Sequence, residues 1–95
     1  MAIAMVLDFA STTLQQYDEV ISKMGFTAGG SGPPGALYHW VTKTDDGIRV
    51  TDVWRTREEC DKFTQEQILP ITAAVGVQAP SQVTYYDVHN YLTAG

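Results

Sequence analysis

Hydrophobic and polar residues alternate at the start of the chain, which predicts a β-strand over Ala2 to Phe9. After hydroxyl residues that can cap a helix, the period changes to three and four residues and predicts an amphipathic helix over Thr13 to Met24. Gly25 suits the end of this helix because glycine readily adopts the left-handed conformation. The apolar positions of the two elements are Ile3, Met5, Leu7 and Phe9, and then Leu14, Tyr17, Val20, Ile21 and Met24.

The middle of the chain predicts a loop followed by a β-hairpin. The glycine- and proline-rich stretch 25–35 supports neither period, so we interpret it as a connector or as a mobile rim over a pocket. It lacks the Lys-Ser/Thr pair of a phosphate-binding loop. Aromatic and β-branched residues predict strands over Ala36 to Thr42 and Ile48 to Trp54. The turn between them is Thr44–Gly47, where Gly47 is expected to have a positive φ.

The last third predicts a second helix and a fourth strand. Thr56 and Glu59 have the spacing of a reciprocal capping box, and Pro70 predicts a kink or a break. After an irregular stretch at 76–81, Val83 to Leu92 predicts the closing strand. One face of the helix comprises Cys60, Phe63, Gln67, Ile68 and Ile71.

The order β-α-β-β-α-β predicts an α+β protein with the ferredoxin-like arrangement, in one domain over residues 1–95. Right-handed crossovers place both helices on one face of a four-stranded antiparallel sheet. Large apolar side chains occur on both sides of the strands, so the other face is expected to be covered by a second copy of the chain. The alternative is that tyrosines which tolerate solvent merely decorate that face.

Composition narrows the function classes. Eleven acidic and six basic side chains give a net charge of −5, which argues against nucleic acid or an anionic membrane as the partner. No apolar run approaches the roughly 18 residues of a membrane span, and the first residues lack the basic region of a signal peptide. The one cysteine cannot form an internal disulfide and fits a reducing cytoplasm.

The segment Asp52-Val-Trp-Arg-Thr-Arg-Glu-Glu59 is similar to the strand-to-helix segment of antibiotic-biosynthesis-monooxygenase-like proteins. With the element order, it makes the chain resemble the dimeric α+β barrel superfamily. The resemblance implies a homodimer with a pocket between sheet and helices in each subunit. The superfamily includes cofactor-independent monooxygenases of aromatic polyketides, haem-degrading enzymes and lactone isomerases. Some members carry a histidine about two turns into the second helix, where this chain has Phe63.

The strongest candidate for catalysis is His39 in the predicted hairpin. If the hairpin closes symmetrically on its two aspartates, His39 lies opposite Asp52, Leu37 opposite Trp54 and Val41 opposite Val50. A carboxylate beside an imidazole fixes its tautomer and raises its basicity, as a general base requires. A bulge at Gly47 would instead pair His39 with Val53. Even the favourable pair is also compatible with a purely structural role.

Other residues are candidates for contact with a ligand. They are Tyr17, Trp40, Trp54, Tyr86 and His89, where Asp87 and His89 are expected on one side of the final strand. Cys60 is expected to pack as a small apolar residue, and Arg55 and Arg57 as surface charges or as a site for an anion. The spacing of histidines and carboxylates predicts no metal site, and no cofactor is expected.

Two functions therefore compete. The first is an enzyme or binding protein that encloses a small apolar or aromatic molecule, with His39 as the base and Asp52 as the group that orients it. The second is a non-catalytic dimerisation or stress-associated binding module. Haem binding would require an accessible axial histidine and is the weaker alternative.

Overall fold

A computed structural model describes residues 1–93 and contains one four-stranded antiparallel sheet. The strands are β1 (Ile3–Ala10), β2 (Ala36–Lys43), β3 (Gly47–Trp54) and β4 (Gln82–Asp87), in the order β2-β3-β1-β4. The helices are α1 (Leu14–Met24), α2 (Arg57–Phe63) and α3 (Leu69–Val75), with a π-helical segment at Thr64–Ile68 between the last two. The ferredoxin-like βαββαβ prediction is confirmed.

The core lies between the sheet and the helices. Strand β1 is central, and its alternate residues are buried as the sequence period predicts. Each of them pairs with a residue of β3 that faces the same side; Met5 lies opposite Asp52 and Leu7 opposite Val50. The buried cluster comprises Ile3, Met5, Leu7, Phe9, Ile48, Val50, Trp54 and Cys60, with Tyr17, Phe63 and Ile68 packed against it.

The second helical region continues through Pro70 instead of breaking there. Pro70 has no N–H to donate to the preceding turn. The helix widens before it, and the Leu69 N–H donates to the Thr64 carbonyl five residues back. Pro70 then occupies the first turn of α3, where its missing N–H costs nothing. The predicted kink is therefore a π-helical turn just before the proline.

Helices α1 and α2 both begin with the hydroxyl cap that the sequence predicts, but the reciprocal side-chain contacts differ from the prediction. At α1, Thr13 and Gln16 form the reciprocal box that was not predicted. At α2, the Thr56 hydroxyl accepts from the Glu59 N–H at 3.1 Å, as expected. The Glu59 carboxylate, however, accepts from Arg55 at 2.8 Å rather than from the Thr56 amide. A nearby guanidinium is the stronger donor, so the predicted reciprocal half at α2 is wrong.

Glycine is required at position 47, at the end of the hairpin turn, for a steric reason and not because of the expected positive φ. Its φ is not among the positive values of the described residues. A Cβ at this position would lie 1.9 Å from the carbonyl oxygen of Phe9 on β1. Only glycine allows the turn end of β3 to approach β1 this closely.

Replacing Gly47 with Ala should therefore lower the free energy of unfolding by about 3 kcal/mol or more, because a rigid backbone atom is in the way. Gly32→Ala is the control, since its added Cβ would make an ordinary 3.7 Å contact with Ala36. It should change stability by less than about 0.5 kcal/mol. Urea unfolding followed by circular dichroism measures both, and equal stabilities of the two variants would contradict the steric explanation.

The final strand is shorter than predicted and ends at Asp87 instead of Leu92. Its partner β1 begins at Ile3, which lies opposite Asp87, so no strand remains to pair with the following residues. The chain then leaves the sheet. Tyr91 packs edge-on against Tyr38 with ring centroids 6.1 Å apart, and the Tyr38 hydroxyl donates to the Leu92 carbonyl at 2.7 Å.

Within residues 1–93, none of the helices combines the length and the apolar character that crossing a bilayer requires.

Candidate functional site

The hairpin register places His39 directly opposite Asp52. Val41 lies opposite Val50, so the symmetric register is confirmed and the alternative with His39 opposite Val53 is wrong. One detail differs: a bulge between Ala36 and Tyr38 makes Ala36, not Leu37, the partner of Trp54. The bulge does not affect the His39–Asp52 pair, because it lies at the open end of the hairpin.

His39 and Asp52 are joined through their side chains. The Asp52 carboxylate contacts Nδ1 of His39 and is buried, with the residue only 4% exposed. A buried carboxylate accepts hydrogen bonds, so Nδ1 carries the proton and donates it. The lone pair of the ring then resides on Nε2, on the side away from Asp52. This is the tautomer that a general base at Nε2 requires.

Tyr17 completes the site from helix α1. Its hydroxyl contacts Nε2 of His39, and the two rings lie nearly parallel with centroids 5.8 Å apart. Because Nε2 holds the lone pair, the Tyr17 hydroxyl is the donor. Asp52, His39 and Tyr17 therefore form one hydrogen-bonded chain, which we call the Asp-His-Tyr chain. It runs from the buried sheet to the first turn of α1.

Burial raises the pKa of Tyr17 to about 12, and the negative charges of Asp52 and Asp18 act in the same direction. Tyr17 is therefore neutral at physiological pH and remains a proton donor to His39. A phenol that is held protonated in the folded state stabilises that state only while it stays protonated.

Titration of the phenolate absorbance should reveal one tyrosine that ionises near pH 12 in the native protein, and Tyr17→Phe should remove it. The stability contribution of this group is complete below its ordinary value of 10.0 and is lost as pH rises through about 12. Tyr85→Phe is the control and should leave the late transition in place. A titration of Tyr17→Phe that still contained the late step would refute the assignment.

The Asp-His-Tyr chain borders a cavity of about 780 Å³ between α1, the sheet and the second helical region. Apolar and aromatic side chains form most of its wall; those buried in the core are Leu7, Phe9, Val20, Ile48, Val50 and Trp54. Loop residues 27–33 form part of its rim, which places the glycine-rich stretch where a rim over a pocket was predicted. Its volume is in the range that encloses a small organic ligand.

Trp54 forms part of this wall and is almost fully buried, at 1% exposure. It packs against Phe63 with ring centroids 5.4 Å apart. Its indole N–H finds no acceptor among the described residues. Trp54 therefore belongs to the hydrophobic core and also lines the cavity.

Two of the predicted ligand contacts lie elsewhere, and a third lines the cavity from an unexpected position. Trp40 is among the lining residues, but it is next to His39 in sequence, so its side chain points to the opposite face of the sheet, where it is 48% exposed. Tyr86 pairs with Ala4 on that same opposite face and is 58% exposed. His89 lies beyond the end of β4, so the expected strand alternation with Asp87 does not apply to it. Neither Tyr86 nor His89 lines the cavity.

Sequence reasoning named Tyr17 but missed its bond to His39, and it did not consider Asp18 at the cavity wall. The helical period predicted that Tyr17 lies on the face of α1 that points toward the sheet. It could not predict the contact with His39, because the distance between that face and β2 depends on how α1 packs.

Cys60 and the two arginines have structural roles. Cys60 is fully buried, its thiol contacts the Met5 sulfur at 3.6 Å, and burial raises its pKa to about 11. It is therefore a poor nucleophile, as expected.

Arg55 pairs with Glu59 at 2.8 Å and Arg57 with Asp61 at 2.9 Å, so both are engaged in surface ion pairs. Arg57 also lies 3.6 Å over the ring of Tyr85. Within residues 1–93, no three metal-binding side chains cluster together.

Fold and site together define a ferredoxin-like α+β protein with an apolar cavity and an acid–base chain at its wall. Solved structures share this fold over nearly their whole length. A candidate antibiotic biosynthesis monooxygenase from Chloroflexus aurantiacus superposes with a TM-score of 0.68 at 19% identity, covering 100% of both chains. SnoaB, a cofactor-independent oxygenase from Streptomyces nogalater, gives 0.65 at 15% identity over 98% of each chain, in a point-variant form.

A candidate antibiotic biosynthesis monooxygenase from Deinococcus radiodurans gives a TM-score of 0.60 at 12% identity, covering 100% of this chain and 99% of that one. No protein-family model and no curated protein sequence matches the chain. At these identities the likeness establishes the fold, and the activity has to be argued from the site.

Proposed function

We propose that the protein is a homodimer that binds an apolar or aromatic molecule in the cavity and oxidises it with molecular oxygen, without a cofactor. His39 is the base, Asp52 orients it, and Tyr17 and Trp54 contact the ligand. The observation that carries the proposal is the Asp-His-Tyr chain at the wall of an otherwise largely apolar cavity. An imidazole oriented by a buried carboxylate beside a ligand-sized space is the arrangement expected of general-base catalysis.

The chemistry needs only a substrate whose carbanion can reduce oxygen. Nε2 of His39 takes a proton from an acidic methylene carbon, after the substrate displaces the Tyr17 hydroxyl. The resulting carbanion transfers an electron to O2, and the substrate radical and superoxide combine to a substrate peroxide anion, which takes up a proton to give the hydroperoxide. Loss of water leaves a carbonyl group, so one methylene and one O2 give one carbonyl and one water. The substrate supplies every electron, and the fold likeness to SnoaB supports this reaction type.

The proposed second copy would cover the sheet face opposite the helices. This open face carries Trp40 and Tyr86, both about half exposed, while Val53 on the same face is already buried at 8% exposure. Asp8 and Arg49 make an ion pair at 2.7 Å on the same face, at the far end of β1. An apolar patch bordered by a paired charge is the composition of an interface rather than of a solvated sheet face.

A non-catalytic binding module is the second candidate function, and one observation favours it. The Tyr17 hydroxyl occupies the lone pair of His39, so the resting site holds its base in a satisfied bond. In such a module the Asp-His-Tyr chain would only position α1 over the sheet.

Oxygen uptake distinguishes the two. Anthrone is a suitable probe because it is a flat tricyclic ketone with an acidic methylene carbon, and its oxidation consumes one O2 and releases one water. Chelator-treated protein should accelerate uptake with that stoichiometry, and the ketone product should appear at the same rate. Uptake equal to that of buffer, with anthrone bound in the cavity, would support the binding module instead.

A further inference from the structure

The charged residues of the cavity have one sign. Asp52 is buried at its wall, and Asp18 borders it from helix α1. No lysine or arginine of the described chain lines the cavity. Nδ1 of His39 is the only basic nitrogen that contacts Asp52 among the described residues, so the carboxylate already has its partner.

The six basic residues lie elsewhere. Arg49, Arg55 and Arg57 are paired with Asp8, Glu59 and Asp61 at 2.7 to 2.9 Å, away from the cavity. The three lysines, Lys23, Lys43 and Lys62, are exposed and do not border it. No lysine or arginine of the described residues is therefore placed to neutralise an anionic ligand.

A negative charge on the ligand would meet the buried Asp52 carboxylate next to walls of low polarity, where electrostatic repulsion is screened less than in water. The exposed Asp18 carboxylate at the border of the cavity adds a weaker repulsion. Burial is the largest cause of the raised pKa of Tyr17, and Asp52 and Asp18 add to it because both disfavour a negative charge on its hydroxyl. The polar groups that face the cavity instead suit a neutral hydroxyl or carbonyl: Tyr17 donates, and Nε2 of His39 accepts once it is released.

We propose that the cavity selects uncharged aromatic ligands and rejects their carboxylate counterparts. The proposal rests on the binding part of the proposed function and names the substrate class of that site. It means that a reaction which supplies this protein with substrate must deliver a neutral phenol, ketone, ester or amide rather than a free aromatic acid.

A matched ligand pair tests the proposal. Naphthamide and naphthoate have nearly the same shape, and only naphthoate is charged at neutral pH. Titration calorimetry at low ionic strength should show naphthamide binding at least about tenfold more tightly than naphthoate. Equal affinities, tighter binding of naphthoate, or binding of neither compound up to its solubility limit would overturn the proposal.

Two aspartate variants test whether the preference for naphthamide over naphthoate arises at the cavity. Asp18→Asn removes a charge at the cavity and should reduce the naphthamide preference by about two- to threefold. Asp45→Asn, in the exposed hairpin turn, changes the net charge equally and should leave the preference unchanged. The same change in both variants would mean that overall charge, not the cavity, sets the preference, and would overturn the proposal. Because binding is measured without oxygen uptake, a selective protein that oxidises nothing would refute the oxygenase and keep the selectivity.

Discussion

Replacing His39 with Gln is expected to lower the rate of anthrone oxidation by about a hundred- to ten-thousand-fold, the usual contribution of a general base. The Gln amide can still donate to Asp52, so the buried carboxylate keeps a partner while the basic nitrogen is lost. Oxygen uptake at saturating anthrone measures the change. Binding of naphthamide by calorimetry should change little, which separates loss of chemistry from loss of the cavity.

The controls make this result specific. His89→Gln removes the other histidine, which lies beyond β4 and outside the cavity, and should retain the full rate. His39→Ala should be as inactive as His39→Gln but less stable, because it leaves the Asp52 carboxylate buried without its partner. Unchanged oxygen uptake in His39→Gln would eliminate His39 as the base.

Replacing Trp40 with Lys is expected to convert the proposed dimer into a monomer. Trp40 is 48% exposed on the open face of the sheet, where each copy of the chain would contribute one such residue to a two-fold interface. Loss of a buried tryptophan and burial of an ammonium should raise the dimer dissociation constant by at least about a hundredfold. Sedimentation velocity across a range of protein concentrations measures this shift.

Leu14→Lys is the matched control for the dimer. Leu14 is an apolar residue of similar exposure, 43%, but it lies at the start of α1 and not on the open face. Its replacement should leave the dimer intact. A wild-type protein that sediments as a monomer at micromolar concentration would disprove the dimer, and equal effects of the two variants would place the interface elsewhere.

The fold was predictable because the alternation of apolar residues in the strands and their three- to four-residue spacing in the helices are both clear and indicate the same core. The alternation in β1 places Met5 and Leu7 in the core, and the helical period places Tyr17 and Val20 toward the sheet. The hairpin register was one of two alternatives that the sequence left open. Symmetry about the turn pairs His39 with Asp52, whereas a bulge at Gly47 would have moved every side chain of one strand to the other face. The structure selects the symmetric register.

The differences arise where local patterns compete with their surroundings. Glu59 has the spacing of a capping box, but Arg55 lies one turn away and attracts its carboxylate. The residues after Asp87 have strand-forming side chains, but β1 has no further residue to pair with them. Gly47 has the position of a turn glycine with positive φ. In the structure, glycine is needed there because a side chain would collide with the Phe9 backbone, which the turn sequence does not show.

The site was half predictable for a similar reason. Residues of one strand or one hairpin could be placed relative to each other by alternation, which brought His39 and Asp52 together. Contacts between distant elements depend on how they pack, so the bond from Tyr17 to His39 was not foreseen. Trp40 and Tyr86 were selected as aromatic residues, but the parity of the strands places them on the face opposite the cavity.

A crystal structure of the protein grown with naphthol is the most direct test of the central claim, that the cavity beside the Asp-His-Tyr chain is a ligand site. Naphthol is uncharged and carries one hydroxyl that can replace Tyr17 at His39. We expect its ring among the apolar walls and its hydroxyl oxygen about 2.6 to 3.2 Å from Nε2 of His39 or from the Tyr17 hydroxyl. A cavity filled by the protein's own side chains, or naphthol bound only on the outer surface, would contradict the account.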